Sequence, residues 1–222
     1  MQDNNYIGTL KVSEACHKVG AKLIFASSTS VYGTQNEIVS ENCSVDQLKP
    51  QSPYASTKIK EEELIQKLSK TNGLESVILR FGTIYGVSPG IRFHTAVNKF
   101  CWQAAMGFPL TVWNTAYDQK RPYLSLADAL NAVGLIIKKE EYSGEIFNVV
   151  SKNLTVREVI ETIREIKNDC QIRFVDSQIM NQLSYDVSIQ KISKLGYQPT
   201  VKLKENIKLT LQLLDNFYKK QY

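Results

Sequence analysis

The stretch from Leu23 to Lys58 constrains the fold more than any other. Leu23-Ile24-Phe25-Ala26 is a short apolar run ending in Ser27-Ser28-Thr29-Ser30, the pattern of a buried parallel strand with a polar carboxyl end. Ser52-Pro53 then reads as a helix start, with Ser52 as N-cap and Pro53 as first helical residue. The helix runs through Ile59, Leu64, Ile65 and Leu68, and Gly73 supplies its stop. Tyr54 and Lys58 stand four apart on it, on one face about a turn from each other. A phenol with an ordinary pKa of about 10 is a poor base at neutral pH. A neighbouring ammonium favours the phenolate, so the spacing predicts a Tyr54 pKa lowered by Lys58 and a general acid/base pair. Ligands bind at the carboxyl ends of strands in open α/β sheets, where a Ser27–Ser30 hydroxyl would meet a substrate oxygen beside Tyr54.

The rest of the chain alternates strands and capped helices. Asn5-Tyr6-Ile7-Gly8-Thr9 opens a helical pattern closing at Gly20, with Asn5 as its N-cap. A polar loop over 32–53 is open to two readings, the mouth of a substrate site or a plain connection. Ser76-Val77-Ile78-Leu79-Arg80-Phe81 is a second buried strand, ended by Gly82. A helix is expected over 93–106, a short strand at 110–112, and a helix over 126–139 capped by Ser125, with Asp128 an electrostatic feature of its first turn. Strand 144–150 follows, then a helix from Thr155 with Glu158 completing a capping box. Strand 171–175 and helices over 189–195 and 203–218 close the chain, with Ile207, Leu211 and Leu214 as core stripe.

Ser27-Ser28-Thr29-Ser30-Val31-Tyr32-Gly33, Tyr54-Ala55-Ser56-Thr57-Lys58 and Leu79-Arg80-Phe81-Gly82-Thr83-Ile84-Tyr85-Gly86 occur in that order. In motif, order and spacing the chain resembles the extended short-chain dehydrogenase/reductases, and within them the nucleotide-sugar epimerases and dehydratases. The resemblance covers nearly the whole chain. It implies an α/β fold: the carboxyl-terminal part of a Rossmann-like parallel sheet with a small α/β substrate lobe. Residues 1–87 would form a partial dinucleotide-binding domain, and 88–222 mainly the lobe, with 114–150 returning to the sheet. Family members begin with a glycine-rich turn that holds the dinucleotide pyrophosphate. Neither G-x-x-G-x-x-G nor G-x-G-x-x-G occurs in these 222 residues. About 90 residues, three βα units, would be missing. A fragment, a split gene product and a start codon placed too far downstream all fit.

The reaction the resemblance implies is NAD-dependent epimerisation, or a related oxidoreduction, of a nucleoside-diphosphate sugar, with NADP left open as cofactor. Ser28, Tyr54 and Lys58 are the implied catalytic residues. Asn5, Ser27, Tyr54, Lys58 and Phe81 are implied to meet the cofactor, and Ser28, Thr29, Thr83, Arg92, Leu110 and Arg121 the substrate. Arg121 lies in Arg121-Pro122-Tyr123, matching an Arg-Asp-Tyr substrate motif with Pro in place of Asp. Arg92 reads equally well as a surface ion-pair partner. Galactose-type epimerases commonly carry Asn at the Thr83 position, which leaves the sugar open. Dehydratases carry Asp-Glu where this chain has Thr29-Ser30, so elimination is disfavoured. A nucleotide-sugar reductase or dehydratase, and an inactive remnant or non-catalytic subunit, are the rival readings. The expected assembly is a homodimer, with an N-terminal complementing polypeptide as a further candidate partner.

Net charge is +5, from 27 basic and 22 acidic residues. The C-terminal lysines Lys202, Lys204, Lys208, Lys219 and Lys220 alternate with apolar positions, a solvated helix face and not a nucleic-acid patch. The four cysteines lie far apart with no C-x-x-C, which indicates neither a zinc site nor a disulfide framework. No signal-peptide pattern and no apolar run of about 18 residues occurs, so no membrane contact is expected and the cytoplasm is the expected compartment.

Overall fold

The computed structural model describes residues 2–35, 38–176 and 184–219. Asn36 and Glu37 of the polar loop, and Lys220, lie outside the described residues. Three strands form a parallel sheet in the order β1 (Leu23–Ser28), β2 (Ser76–Phe81), β6 (Ser143–Val149). Leu23 faces Ser76 and Ser28 faces Phe81 across the first pair. The apolar run therefore extends through both serines before the chain turns into a short 3-10 helix, Thr29–Tyr32.

Strand alternation sends the side chains of β2 to opposite faces. Val77 and Leu79 join Ala132 and Ile136 of α4 (Leu126–Lys139) and Ile192 of α6 (Gln190–Ser193) in one core. Ile78 joins Ile65 of α2 (Pro53–Asn72) and Cys16 of α1 (Gln2–Val19) in the other. The result is helix, sheet and helix in three layers. α2 is fixed at both ends. The Ser52 hydroxyl accepts from the Ala55 N–H at 3.1 Å, and Gly73 takes the left-handed conformation (φ 71°) that a side chain resists. α1 begins upstream of Asn5, so Asn5 lies within the helix and does not cap it.

β2 ends at Phe81, yet the chain does not enter a loop. It steps through Gly82 into a second sheet, β3 (Thr83–Tyr85), β5 (Lys120–Ser125) and β7 (Lys152–Thr155), in which β3 and β5 are parallel and β5 and β7 antiparallel. None of these three strands is evident in the sequence. β3 is too short to show a period, and Lys120-Arg121-Pro122 at the head of β5 reads as a breaker. A third pair, β4 (Leu110–Trp113) with β8 (Ile172–Val175), is parallel. It packs in the core of α3 (Ala96–Ala105), α5 (Val156–Arg164) and α7 (Leu203–Lys219), where Phe100, Leu110, Ile163, Ile207 and Leu211 are buried. The capping box is formed: the Glu158 carboxylate accepts from the Thr155 N–H at 2.7 Å, and the Thr155 hydroxyl from the Glu158 N–H at 3.1 Å. α3 begins at Ala96, not 93, so Arg92, Phe93 and His94 stay in the turn before it.

Asp128 does more than tune a helix end. It is fully buried, its carboxylate accepts from the Ser151 hydroxyl and, at 2.9 Å, from the Thr200 N–H, and so ties α4 to two loops. The 32–53 loop folds back on the body, with Val39 bridged to Val187 and Gly33 (φ 64°) against the Lys49 carbonyl. Lys202, Lys204 and Lys208 are exposed on or beside α7. Among the described residues no helix is long and apolar enough to cross a membrane.

Candidate active site

A cleft of about 590 Å³ opens at the carboxyl ends of β1 and β2. Ser27 and Ser28 reach it from β1, Phe81 from β2, Thr83 from β3, Tyr54 from the first turn of α2, and Arg92 and His94 from the turn before α3. The Ser28 hydroxyl oxygen accepts from the Ser30 N–H at 3.2 Å, which leaves its proton to donate elsewhere. Ser27 donates to Glu62, whose carboxylate also grips Arg80 at 2.6 Å. Arg80 in turn donates to the Tyr32 hydroxyl at 2.9 Å, and Tyr32 to Asn148 at 2.8 Å. This buried, fully paired network fixes the floor of the cleft.

Tyr54 is 40% exposed. Its pKa is raised, first by partial burial, then by the Glu61 carboxylate, with Arg92 pulling the other way. The expected lowering by Lys58 is not found. The Lys58 ammonium lies 5.8 Å from the Tyr54 ring centre and 4.4 Å from that of Phe25. Its ion pair is with Glu61, at 3.2 Å, so its charge is offset where Tyr54 would feel it. Lys58 also lines a groove of about 480 Å³ along β1, with Asn5, Thr9, Phe25 and Glu61.

A second, smaller chamber of about 230 Å³ shares Thr83, His94 and Thr95 with the cleft. Arg121, Lys99, Trp113 and Tyr123 line it. Among the described residues Arg121 has one weak side-chain partner, Gln119 at 3.4 Å. Lys99 donates to the Thr111 carbonyl at 3.0 Å, and burial lowers its pKa. The Tyr123 hydroxyl is fully buried with no hydrogen-bond partner among the described residues, and burial pushes it up to about 12. Two cations and an unsatisfied donor beside an indole suit a phosphorylated aromatic ligand.

The structure thus gathers Ser27, Ser28, Tyr54, Phe81, Thr83 and Arg92 in one cleft and Arg121 in the adjoining chamber. Lys58 and Asn5 lie along the β1 groove. Two expected substrate contacts face elsewhere. Thr29 is buried, donating to the Phe81 carbonyl at 3.3 Å and accepting from Tyr185 at 3.4 Å. Leu110 is 0% exposed, its side chain packed in the lobe core. No lining residue of the cleft among those described comes from 33–53, which favours the reading of that loop as a connection. His94, Lys99 and Tyr123 went unnoticed in the sequence. Tyr123 stood in the open as the aromatic of Arg-Pro-Tyr, whereas Lys99 is indistinguishable from a surface lysine until α3 is placed.

A sequence model of the NAD dependent epimerase/dehydratase family matches residues 1–149. A trifunctional UDP-glucose 4,6-dehydratase/UDP-4-keto-6-deoxy-D-glucose 3,5-epimerase/UDP-4-keto-L-rhamnose-reductase of Arabidopsis thaliana is 30% identical over 217 residues, 94% of this chain and 32% of that protein. An uncharacterized UDP-glucose epimerase of Bacillus subtilis is 29% identical over 214 residues, 94% of this chain and 65% of that protein. The chain therefore spans less than two thirds of either relative. Among solved structures, the UDP-glucuronic acid 4-epimerase of Bacillus cereus, in complex with UDP-glucuronic acid and NAD, superposes with a TM-score of 0.84 at 27% identity. The match covers 97% of this chain and 68% of that one.

Proposed function

The chain belongs to the NAD dependent epimerase/dehydratase family, and we propose that it carries the sugar-side half of an NAD-dependent epimerase acting on a nucleoside-diphosphate sugar. One observation carries this reading: the cleft holding Ser28 and Tyr54 adjoins the chamber of Arg121, Lys99 and Tyr123, the two sharing Thr83, His94 and Thr95 as lining. A sugar in the first would place its diphosphate and base in the second.

The β1 groove fits the nicotinamide-ribose end of the cofactor, since the Asn5 amide and the Lys58 ammonium both line it. Bound there, NAD would supply the hydride acceptor and donor for a ring carbon of the sugar. Tyr54 accepts the proton of the sugar hydroxyl as the ring carbon is oxidised, and gives it back to the oxygen afterwards. Ser28 donates to that oxygen and holds the C–O bond in line. Arg121 and Lys99 hold the diphosphate by charge-assisted hydrogen bonds, and Tyr123 finds there the acceptor it lacks. Thr83 sits where the two ligand halves meet. The buried Thr29 hydroxyl, committed to the Phe81 carbonyl, supplies no acid for elimination, which supports inversion over dehydration.

Proton NMR of UDP-glucose, UDP-galactose and UDP-glucuronic acid incubated with NAD and the protein tests the reading. The expected product is the 4-epimer, with Tyr54→Phe slowing its formation about 10²- to 10⁴-fold. Arg121→Met is expected to weaken UDP binding about tenfold while the circular dichroism spectrum is kept. Binding of sugar nucleotide and NAD with no epimer formed, or an unaffected Tyr54→Phe variant, overturns it.

A further inference from the structure

Glu61 lies one turn beyond Tyr54's partner Lys58 on α2, and its side chain is turned into the body of the protein at 1% exposure. A carboxylate that deep is costly unless both oxygens are held. One oxygen accepts from the Thr9 hydroxyl of α1. The other has the Lys58 ammonium at 3.2 Å and no hydrogen-bond donor besides it among the described residues. Lys58 is in turn pressed over the Phe25 ring, with its side chain 12% exposed. The ammonium is therefore confined between a carboxylate and an aromatic face, at a fixed place beside Tyr54.

We infer that Glu61 is a positioning residue for the Tyr54–Lys58 pair: anchored by Thr9, it fixes the Lys58 ammonium and offsets the charge that Tyr54 feels, so that three groups and not two set the proton transfer. The inference rests on the reading of Tyr54 as the acid/base. Among the described residues, the charges that act on the Tyr54 phenol are Glu61 of α2 and Arg92 of the turn before α3; the Lys58 ammonium lies 5.8 Å from its ring centre, and His94 lines the same cleft. The neighbours from α1 and β1, namely Thr9, Phe25, Ser27 and Ser28, are uncharged. Glu61 is the acidic member of the set, and its removal leaves Lys58 and Arg92 both favouring the phenolate. The raised pKa of Tyr54, with Glu61 among its causes, agrees with this geometry.

The test is a titration of the full chain carrying 13Cζ-tyrosine, with the Tyr54 resonance identified by its loss in Tyr54→Phe. In Glu61→Gln the Tyr54 midpoint is expected to fall by about one pH unit, and in Lys58→Met to rise. Glu61→Met, which removes the charge but keeps the bulk, is expected to act as Glu61→Gln does and serves if the glutamine variant fails to fold. The exposed Glu63→Gln is expected to leave the midpoint in place. A folded Glu61→Gln or Glu61→Met with an unmoved midpoint overturns the inference, as does an equal fall in Glu63→Gln. The titration needs no turnover, so a shifted midpoint in a protein that epimerises no sugar nucleotide supports the role of Glu61 while refuting the proposed reaction. Where turnover is found, the limb of kcat/KM assigned to Tyr54 moves to lower pH by the same interval.

Discussion

Tyr123 keeps its hydroxyl buried and unpaired among the described residues, a state that costs about 1–3 kcal/mol. Under the proposed function the missing acceptor is a phosphate oxygen of the ligand. Tyr123→Phe is accordingly expected to stabilise the free protein by about 1 kcal/mol in urea unfolding at pH 7, and to weaken UDP binding in the same preparation. Gain of stability with unchanged binding would leave the chamber without a ligand role for this residue. The same phenol has a signature in base. Burial holds Tyr85, Tyr123 and Tyr185 up at about 12, against an ordinary 10.0. The unfolded chain ionises first, so the stability these groups contribute is whole below pH 10 and is lost as pH rises through 12. Thermal melts from pH 8 to 12 are expected to show the wild-type Tm falling above pH 10, and falling less in Tyr123→Phe. An equal decline in both proteins would show that Tyr123 is not held neutral by the fold.

Gly82 is the element-scale hinge of the site, because it lets β2 leave the first sheet and β3 enter the second within one residue. Its N–H donates to the Val149 carbonyl at 3.0 Å, and a Cβ there would lie 2.9 Å from the Pro122 carbonyl oxygen of β5. That neighbour is backbone, so it cannot swing away. Gly82→Ala is expected to destabilise by about 1–3 kcal/mol in chemical denaturation and to weaken UDP binding, since Arg121 and Tyr123 flank Pro122. Denaturation and binding both at wild-type level would show that β5 adapts freely. The elements that carry this geometry were unequally legible in the sequence. β1, β2 and α2 were plain, because buried parallel strands read as apolar runs and Ser52-Pro53 and Gly73 bracket the helix. Their ends brought Ser28 and Tyr54 to one place, which the sequence could express. β3, β5 and β7 were silent, since three- and four-residue strands and a proline-bearing one lack a period. The offsetting of Lys58 was silent too. Glu61 looks like any polar helix position until α1 covers it and Thr9 meets its carboxylate.

At the scale of the molecule, β1 is one of the two outer strands of the three-stranded sheet, and the groove beside it holds Asn5, Lys58 and Glu61 next to apolar Leu23, Ile24 and Phe25. An outer parallel strand with apolar flanks is unusual, because parallel sheets are normally covered on both sides and at their edges. The chain also lacks any glycine-rich turn of the kind that takes a dinucleotide pyrophosphate onto a helix N-terminus. Under the proposed function, the groups it offers to NAD are those for one ribose and the nicotinamide. Half a dinucleotide site yields far less than half the affinity in molar terms, since the free energies of the two halves add while the cost of immobilising the ligand is met in full by either. The 222-residue chain is therefore expected to bind NAD weakly, with a Kd above about 100 μM by calorimetry, where about 8 kcal/mol would be needed for micromolar binding. UDP, which the proposed function places against Arg121, Lys99 and Tyr123, is expected to bind more tightly than NAD in the same cell. A polypeptide that supplies a glycine-rich turn is expected, when added in trans, to tighten NAD binding and leave UDP binding as it was. Micromolar NAD binding by this chain alone would overturn the account, since the groove beside β1 would then have to hold the whole dinucleotide.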